Sequence, residues 1–254
     1  MVPYTGAGGL FWGRRAIMTY GGGSWQQPGY APYPPGGHVA GPRVKAGVLV
    51  GVTVWRLLIA AFAFTGFGAA VAEMNNPWPG LSQQASLLAG VVYLGLALYP
   101  LFTRGRRHEP RSPWLRGATA VLLLLVGVTF MTIMEGDLDE TWSLFEHLLT
   151  PLAVLVDWVA VGRNQADARW WHPLTWVVFP LAYLLYFLAA SVSLYGGFLD
   201  PDDSDFIVTV LVFLVAVVAT GYLLYGIAKL KGAIAPQSHP VQGYPVYQPH
   251  GYRR

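Results

Sequence analysis

A serine and a histidine in two apolar stretches are the residues of this sequence best suited to chemistry. Ser82 opens the stretch 81–102, and His147 follows Glu146 near the start of the stretch 142–162. A hydroxyl beside an imidazole is the smallest set of groups for nucleophilic acyl transfer, because the imidazole removes the proton that keeps serine a weak nucleophile. Ionisable groups at membrane depth are costly, so Glu146 and His147 mark a candidate site.

Two plainer interpretations of this pair remain open. Ser82 follows Pro79 and Gly80 and is therefore also suited to cap a helix. A single histidine near a membrane interface is often a structural group. At about 100° per residue Glu146 does not face the same way as His147, so an acceptor that orients the imidazole is expected on another helix.

The two residues after Ser82 are candidates to contact a substrate. Gln83 and Gln84 carry amide donors close to the serine. Such donors stabilise the oxyanion that forms in acyl transfer. Together with Glu146, they are the nearby candidates for substrate binding.

The composition places these residues in a bilayer. Of 254 residues, 54% are hydrophobic and 11% charged, which leaves too little polar surface to cover a soluble globule. The absence of cysteine excludes disulfides, thiolate metal sites and a cysteine nucleophile. Six apolar segments are long enough to cross about 30 Å of hydrocarbon: 46–72, 81–102, 115–134, 142–162, 173–195 and 206–228. The sequence predicts an all-α, polytopic membrane protein with six transmembrane helices.

The basic residues predict the orientation of these spans. They lie beside alternate ends of the spans, in the order Arg43, Lys45, Arg104, Arg106, Arg107, Arg111, Arg116, Arg163, Arg169, Lys229 and Lys231. The remaining loops carry acidic residues instead. By the positive-inside rule both termini are cytoplasmic, and we expect a multi-pass protein of a bacterial plasma membrane.

The two ends of the chain differ from the 43–231 transmembrane domain. Residues 1–42 and 232–254 are rich in Gly, Pro, Tyr and Gln, which predicts disordered tails able to bind protein partners. Residues 1–17 do not share this bias, and Met18 is expected to be the true start. No apolar h-region precedes residue 44, so the first span is expected to direct insertion itself.

One basic and one acidic residue lie within the spans at similar depth. Arg56 is on the first span and Asp157 on the fourth, both in the predicted cytoplasmic half. Pairing lowers the cost of burying each charge. We therefore predict an intramembrane ion pair, with a structural role favoured over a functional one.

The residues needed for a haem, a Schiff base or a zinc site are missing from the spans. Haem needs axial histidines, and His147 alone lies well inside a span. No lysine lies within a span to form a Schiff base, and zinc lacks a ligand cluster. No cofactor or metal is expected. The basic loop 104–116 is explained as a topology signal, so no nucleic-acid partner is expected.

Three motifs resemble a known family. The segment EHLLTPLAVLVDW matches a His-x-x-x-Pro…Asp-Trp pattern, Pro180 to Tyr183 give Pro-x-x-Tyr, and YGGFLD at 195–200 is similar to Tyr-Pro-Tyr-Pro-Phe-Leu-Asp. This set resembles the bacterial relatives of the androgen-induced and androgen-dependent TFPI-regulating membrane proteins, which are six-span integral membrane threonine hydrolases. The resemblance covers roughly residues 50–228.

The resemblance implies a pair of catalytic residues and a substrate class. The family's essential histidine falls on His147, and its threonine falls on Ser82, with Ala85 and Ser86 replacing the family's Ser-Asn. It implies hydrolysis of fatty acid esters of hydroxy fatty acids or similar lipid esters. The alternative is a non-catalytic membrane protein of the same fold that binds a lipid or a protein partner.

Overall fold

The structure is a computed structural model that describes residues 44–234. All regular elements in this range are helical. Their bounds are α1 Ala46–Glu73, α2 Leu81–Phe102, α3 Trp114–Thr132, α4 Thr141–Leu144, a π-helix Phe145–Leu149, α5 Thr150–Ala160, a 3-10 helix Asn164–Asp167, α6 His172–Thr175, α7 Val178–Ala189 and α8 Phe206–Ile234. The predictions for the two tails and for Met18 lie outside the described range.

Six helical segments of the described part of the chain are long and apolar enough to cross a membrane. They are Ala46–Glu73, Leu81–Phe102, Trp114–Thr132, Thr141–Ala160, His172–Ala189 and Phe206–Ile234. The fourth combines α4, the π-helix and α5, and the fifth combines α6 and α7. Over residues 44–234, the prediction of an all-helical fold with six apolar spans is confirmed.

The last two spans differ from their predicted bounds. The fifth was expected over 173–195, but α7 ends at Ala189 and the backbone is interrupted between α6 and α7. Pro173 and Pro180 each lie in the first turn of a short helix, where the missing N–H of proline is tolerated. Residues 190–205 form turns instead, and α8 continues to Ile234, beyond the predicted residue 228.

Small residues allow the first two helices to approach each other closely. Ala60 and Ala63 of α1 and Ala85 and Ala89 of α2 are buried in one core. Small side chains at such contacts let helix backbones pack closely where lipid provides no hydrophobic drive. The start of α2 is thereby held against α1, which also contacts α4 and the π-helix of the fourth span.

Candidate functional site

A cavity of about 690 Å³ is lined by both Ser82 and His147. It lies at the end of the bundle where α2 begins and α3 ends. Its other polar lining includes Gln83, Tyr183 and Tyr195, while most of the wall is apolar. The two residues singled out for acyl chemistry therefore share one cavity. The size and lining fit an elongated apolar ligand with one polar group.

His147 lies on a five-residue π-helix inside the fourth span. In this segment the backbone N–H of Thr150 bonds to the Phe145 carbonyl, five residues earlier. Pro151 explains the change of register, because it has no N–H to bond to the carbonyl four residues before it, that of His147. A π-helix of this kind is frequent at functional sites. It locally shifts the directions of Glu146 and His147.

The imidazole of His147 is held on its face, its edge and one nitrogen. Its ring stacks on Phe130 with centroids 3.5 Å apart and planes 2° apart, and Trp142 packs edge-on at 5.8 Å. Nδ1 lies 3.2 Å from the backbone carbonyl oxygen of Ser143. A carbonyl accepts only, so Nδ1 donates and Nε2 carries the lone pair.

This arrangement differs from the expectation in one respect. We expected the orienting acceptor on another helix, and that expectation was wrong. The acceptor is the Ser143 carbonyl, one turn earlier in the same span. Among residues 44–234, Nε2 has no hydrogen-bond partner, while the His147 side chain lines the cavity and is 5% exposed.

Ser82 does not cap the helix that it opens. The cap position of α2 is Gly80, with no side-chain hydrogen bond, so the capping interpretation was wrong. The N–H of Leu81 donates to the Tyr195 hydroxyl at 2.9 Å, and that of Gln84 donates to the Gly80 carbonyl. Within the described part of the chain, the N–H groups of Ser82 and Gln83 have no backbone acceptor. Such groups at a helix start favour a negative charge.

Two tyrosines hold the start of α2. The Tyr183 hydroxyl donates to the Pro79 carbonyl at 2.6 Å, and the Tyr195 hydroxyl accepts from Leu81. Burial raises the pKa of Tyr195, which keeps its phenol protonated. Both tyrosines occur in the motifs described above, but nothing in their spacing indicated that they contact the segment before Ser82.

Glu146 points away from His147, toward α1 and α2. It is fully buried, and its Oε2 accepts a hydrogen bond of 2.7 Å from Gln83 Nε2. The hydroxyls of Ser82 and Ser86 lie beside the same carboxyl group. A Cβ at Gly66 would lie 2.8 Å from Glu146 Cγ, so glycine is required for this approach. Glu146 therefore supports the wall that carries Ser82 and does not orient His147.

The two glutamines have different surroundings. Gln83 lines the cavity and is 4% exposed. Gln84 donates instead to the Trp78 carbonyl at 2.8 Å and does not line the cavity. Gln83 thus remains a candidate to contact a substrate. The geometry does not favour this role for Gln84, which lies outside the cavity lining.

The opposite end of the bundle contains a buried cluster of charges. Arg56 Nε lies 3.9 Å from Asp157 Oδ1, but Arg116 is closer, with NH2 2.6 Å from Oδ2. Arg116 was interpreted as a topology signal, and it is in fact 2% exposed and packed inside the bundle. Tyr93 also donates to Asp157, at 3.2 Å.

Glu109 completes this cluster from the loop between α2 and α3. Its carboxylate lies 3.5 Å from Arg56 NH2 and 3.3 Å from Arg116 NH1. Two arginines therefore face two carboxylates, which balances the buried charge. Burial lowers the pKa of the adjacent His108, so neutral His108 adds no charge near neutral pH. The balance favours a structural role.

Residues 44–234 contain no group of three or more His, Asp or Glu side chains placed to hold a metal ion.

Comparison of the chain with known proteins found no matching family model, no similar curated protein and no similar solved structure. What the site does must therefore be argued from its residues.

Proposed function

We propose that the chain is an intramembrane hydrolase of lipid esters in which Ser82 is the nucleophile and His147 the general base. The proposal combines the geometry of the cavity with the motif resemblance to the six-span threonine hydrolases. That resemblance supplies the substrate class, fatty acid esters of hydroxy fatty acids or similar lipid esters. No cofactor takes part in this chemistry.

One observation carries the proposal: Ser82 and His147 line the same cavity, and the hydrogen bond of His147 leaves Nε2 as the basic nitrogen. A serine needs such a base within reach to become a nucleophile. The stacking on Phe130 fixes the plane of the ring, and the Ser143 carbonyl fixes its tautomer. The Nε2 atom of the imidazole is thus oriented to accept a proton from a group in the cavity.

The residues support a two-step reaction. Ser82 Oγ attacks the ester carbonyl carbon while its proton passes to His147 Nε2. The backbone N–H groups of Ser82 and Gln83 are available for the oxyanion at the start of α2. The C–O bond breaks, the leaving alkoxide takes the proton from His147, and the acyl group stays on Ser82. Water then attacks the acyl carbonyl carbon while its proton passes to the same nitrogen. The bond between the acyl group and Ser82 Oγ breaks, Oγ takes the proton back from His147, and the acid is released.

The setting in the membrane follows from the charge pattern. The positions of the basic loops support cytoplasmic termini, and in that orientation the cavity faces the outer leaflet. The apolar wall accommodates acyl chains, and the ester lies near the interface where water enters. We propose a bacterial plasma membrane as the location.

Lipid binding without turnover is the second candidate function. The Glu146 carboxyl beside Ser82 favours it, because a carboxyl group that accepted a hydrogen bond from the Ser82 hydroxyl would hold that hydroxyl away from a substrate. The cavity would then hold a lipid ligand, and the terminal segments would contact protein partners. Lipid binding with no covalent chemistry would identify this function.

A fluorophosphonate probe distinguishes the two candidate functions. It reacts covalently with an activated serine, and a protein that only binds lipid has no such serine. We expect the purified full chain to be labelled, and Ser82→Ala or His147→Gln to abolish both labelling and hydrolysis of a lipid-ester panel. Ser86→Ala, one turn further along α2 and outside the cavity, is the matched control and should be labelled normally. Ser82→Thr should retain some activity. Full hydrolysis by Ser82→Ala would refute the proposal.

A further inference from the structure

The charged side chains of the loop between α2 and α3 face in two directions. Its acidic residue, Glu109, faces inward, where it meets Arg56 and Arg116 and accepts hydrogen bonds of 2.8 and 2.9 Å from the N–H groups of Arg163 and Asn164. Its carboxylate is thereby fully engaged inside the bundle. The outer side of the loop consequently lacks an acidic side chain to balance its arginines.

Four arginines form the outer side of this loop, which we call the arginine face: Arg104, Arg106, Arg107 and Arg111. All four are exposed, and none has a carboxylate within 4.0 Å among residues 44–234. With Tyr99, Phe102 and Thr103 they line a shallow depression. A ligand for this surface must carry negative charge.

The backbone beneath the arginine face is held in place. Arg104 and Gly105 both have positive φ, 51° and 71°, and the Gly105 N–H donates to the Pro100 carbonyl at 2.9 Å. The Thr103 hydroxyl donates to the Arg107 carbonyl at 2.8 Å. A loop that is ordered before binding loses less conformational entropy when it binds.

Large apolar side chains lie next to the arginines. Leu101 and Phe102 end α2 with 72% and 81% of their surfaces exposed. They belong to an apolar helix of membrane-spanning length, so their position at its end places the arginine face at the membrane interface. The ligand that fits both features has an anionic head and apolar chains.

We infer that the arginine face binds the phosphate headgroup of an anionic phospholipid, whose acyl chains lie against Leu101 and Phe102. Guanidinium groups form bidentate hydrogen bonds with phosphate oxygens, which suits several arginines around one depression. This site is at the opposite end of the bundle from the cavity that holds Ser82. It is therefore independent of the proposed hydrolysis.

Native mass spectrometry of the full chain, titrated with phosphatidylglycerol or phosphatidylcholine, tests this inference. We expect phosphatidylglycerol to bind preferentially. Arg106→Gln/Arg107→Gln should weaken its binding roughly five- to thirtyfold, because each arginine near a membrane surface contributes about 1 kcal/mol to attraction of anionic lipid. The matched control is Arg163→Gln/Arg169→Gln, which removes two exposed arginines from the other described loop at this end and should leave affinity nearly unchanged.

Three outcomes would overturn the inference. Equal weakening by the two double variants would mean that overall charge attracts the lipid. Equal binding of the two lipids would mean that the headgroup charge is not recognised. Inorganic phosphate that competes at the same concentration as the lipid would identify free phosphate as the ligand. Should Arg106→Gln/Arg107→Gln fail to fold, Arg111→Gln replaces it, with Arg163→Gln as its control.

Discussion

At the scale of single residues, the contacts of His147 decide what chemistry the cavity can support. The Ser143 carbonyl accepts a hydrogen bond from the Nδ1–H group, and Phe130 covers one face of the ring. An imidazole free to rotate would spend part of its time with Nε2 turned away from a substrate. In the proposed mechanism, the stacking contact is therefore expected to affect turnover as well as stability.

Replacing Phe130 tests this point. Phe130→Leu removes the aromatic face but keeps an apolar side chain, and we expect kcat for lipid-ester hydrolysis to fall roughly two- to tenfold. Phe179→Leu is the control, because Phe179 packs against Trp114 outside the cavity. Steady-state kinetics of the two variants provide the measurement. An equal loss in both would mean that the effect is one of general packing.

At the scale of elements, the first turn of α2 carries Ser82, the proposed nucleophile, and the available N–H groups. It follows a short loop with two prolines, and it depends on hydroxyls from two distant tyrosines, Tyr183 and Tyr195. These bonds join the start of α2 to α7 and to the loop after α7. The position of Ser82 is therefore determined by a part of the chain more than a hundred residues away.

Tyr195→Phe removes the acceptor of the Leu81 N–H and leaves that group unsatisfied. We expect a loss of about 1 to 3 kcal/mol in the free energy of unfolding and a fall in turnover of roughly tenfold or more, because Ser82 is displaced. Tyr186→Phe is the control, since the Tyr186 hydroxyl has no hydrogen bond in the described part of the chain. Unfolding in mixed micelles and ester turnover are measured together. Unchanged turnover in Tyr195→Phe would argue against a positioning role.

At the scale of the whole molecule, the two ends of the bundle carry different sets of polar residues. One end has acidic loops and the cavity, and the other has the charge cluster around Asp157 and the arginine face. The cluster joins α1, α3, α5 and the loop before α3 through ion pairs. Its role is to hold these helices together.

Arg116 is expected to be the most important cation of this cluster. Arg116→Leu leaves Asp157 without its closest partner and should cost about 3 to 5 kcal/mol in the free energy of unfolding. Arg116→Leu/Asp157→Leu should be milder, because Arg56 and Glu109 remain as a pair. Arg106→Leu, an exposed position in the loop between α2 and α3, should change the free energy of unfolding by less than about 0.5 kcal/mol. If the double variant is as unstable as Arg116→Leu, the pairing does not explain the loss.

The orientation of the bundle is a separate prediction. A reporter enzyme that is active only outside the cytoplasm should be inactive when fused after Arg254, because the positive-inside rule predicts that both termini are cytoplasmic. The same reporter inserted after Asp202, in an acidic loop, should be active. The opposite pattern of activity would show that the orientation is inverted and would place the cavity in the inner leaflet.

The sequence by itself determined the six helical spans, because hydrophobicity over about twenty residues is a local property of the chain. It also indicated Ser82 and His147, since a hydroxyl and an imidazole in apolar surroundings are visible in the residue types alone. The end of the fifth span was not determined in this way, because Pro173 and Pro180 divide it and residues 190–195 turn instead of continuing the helix.

Only the tertiary structure decided which groups meet. The sequence matched Arg56 with Asp157 by depth, but depth does not distinguish between helices, and Arg116 proved to be the closer partner. The acceptor of His147 proved to be a backbone carbonyl of its own span, which the side-chain types along the sequence do not indicate. Contacts such as Tyr195 with Leu81 join residues far apart in the chain, and packing rather than local sequence determines them.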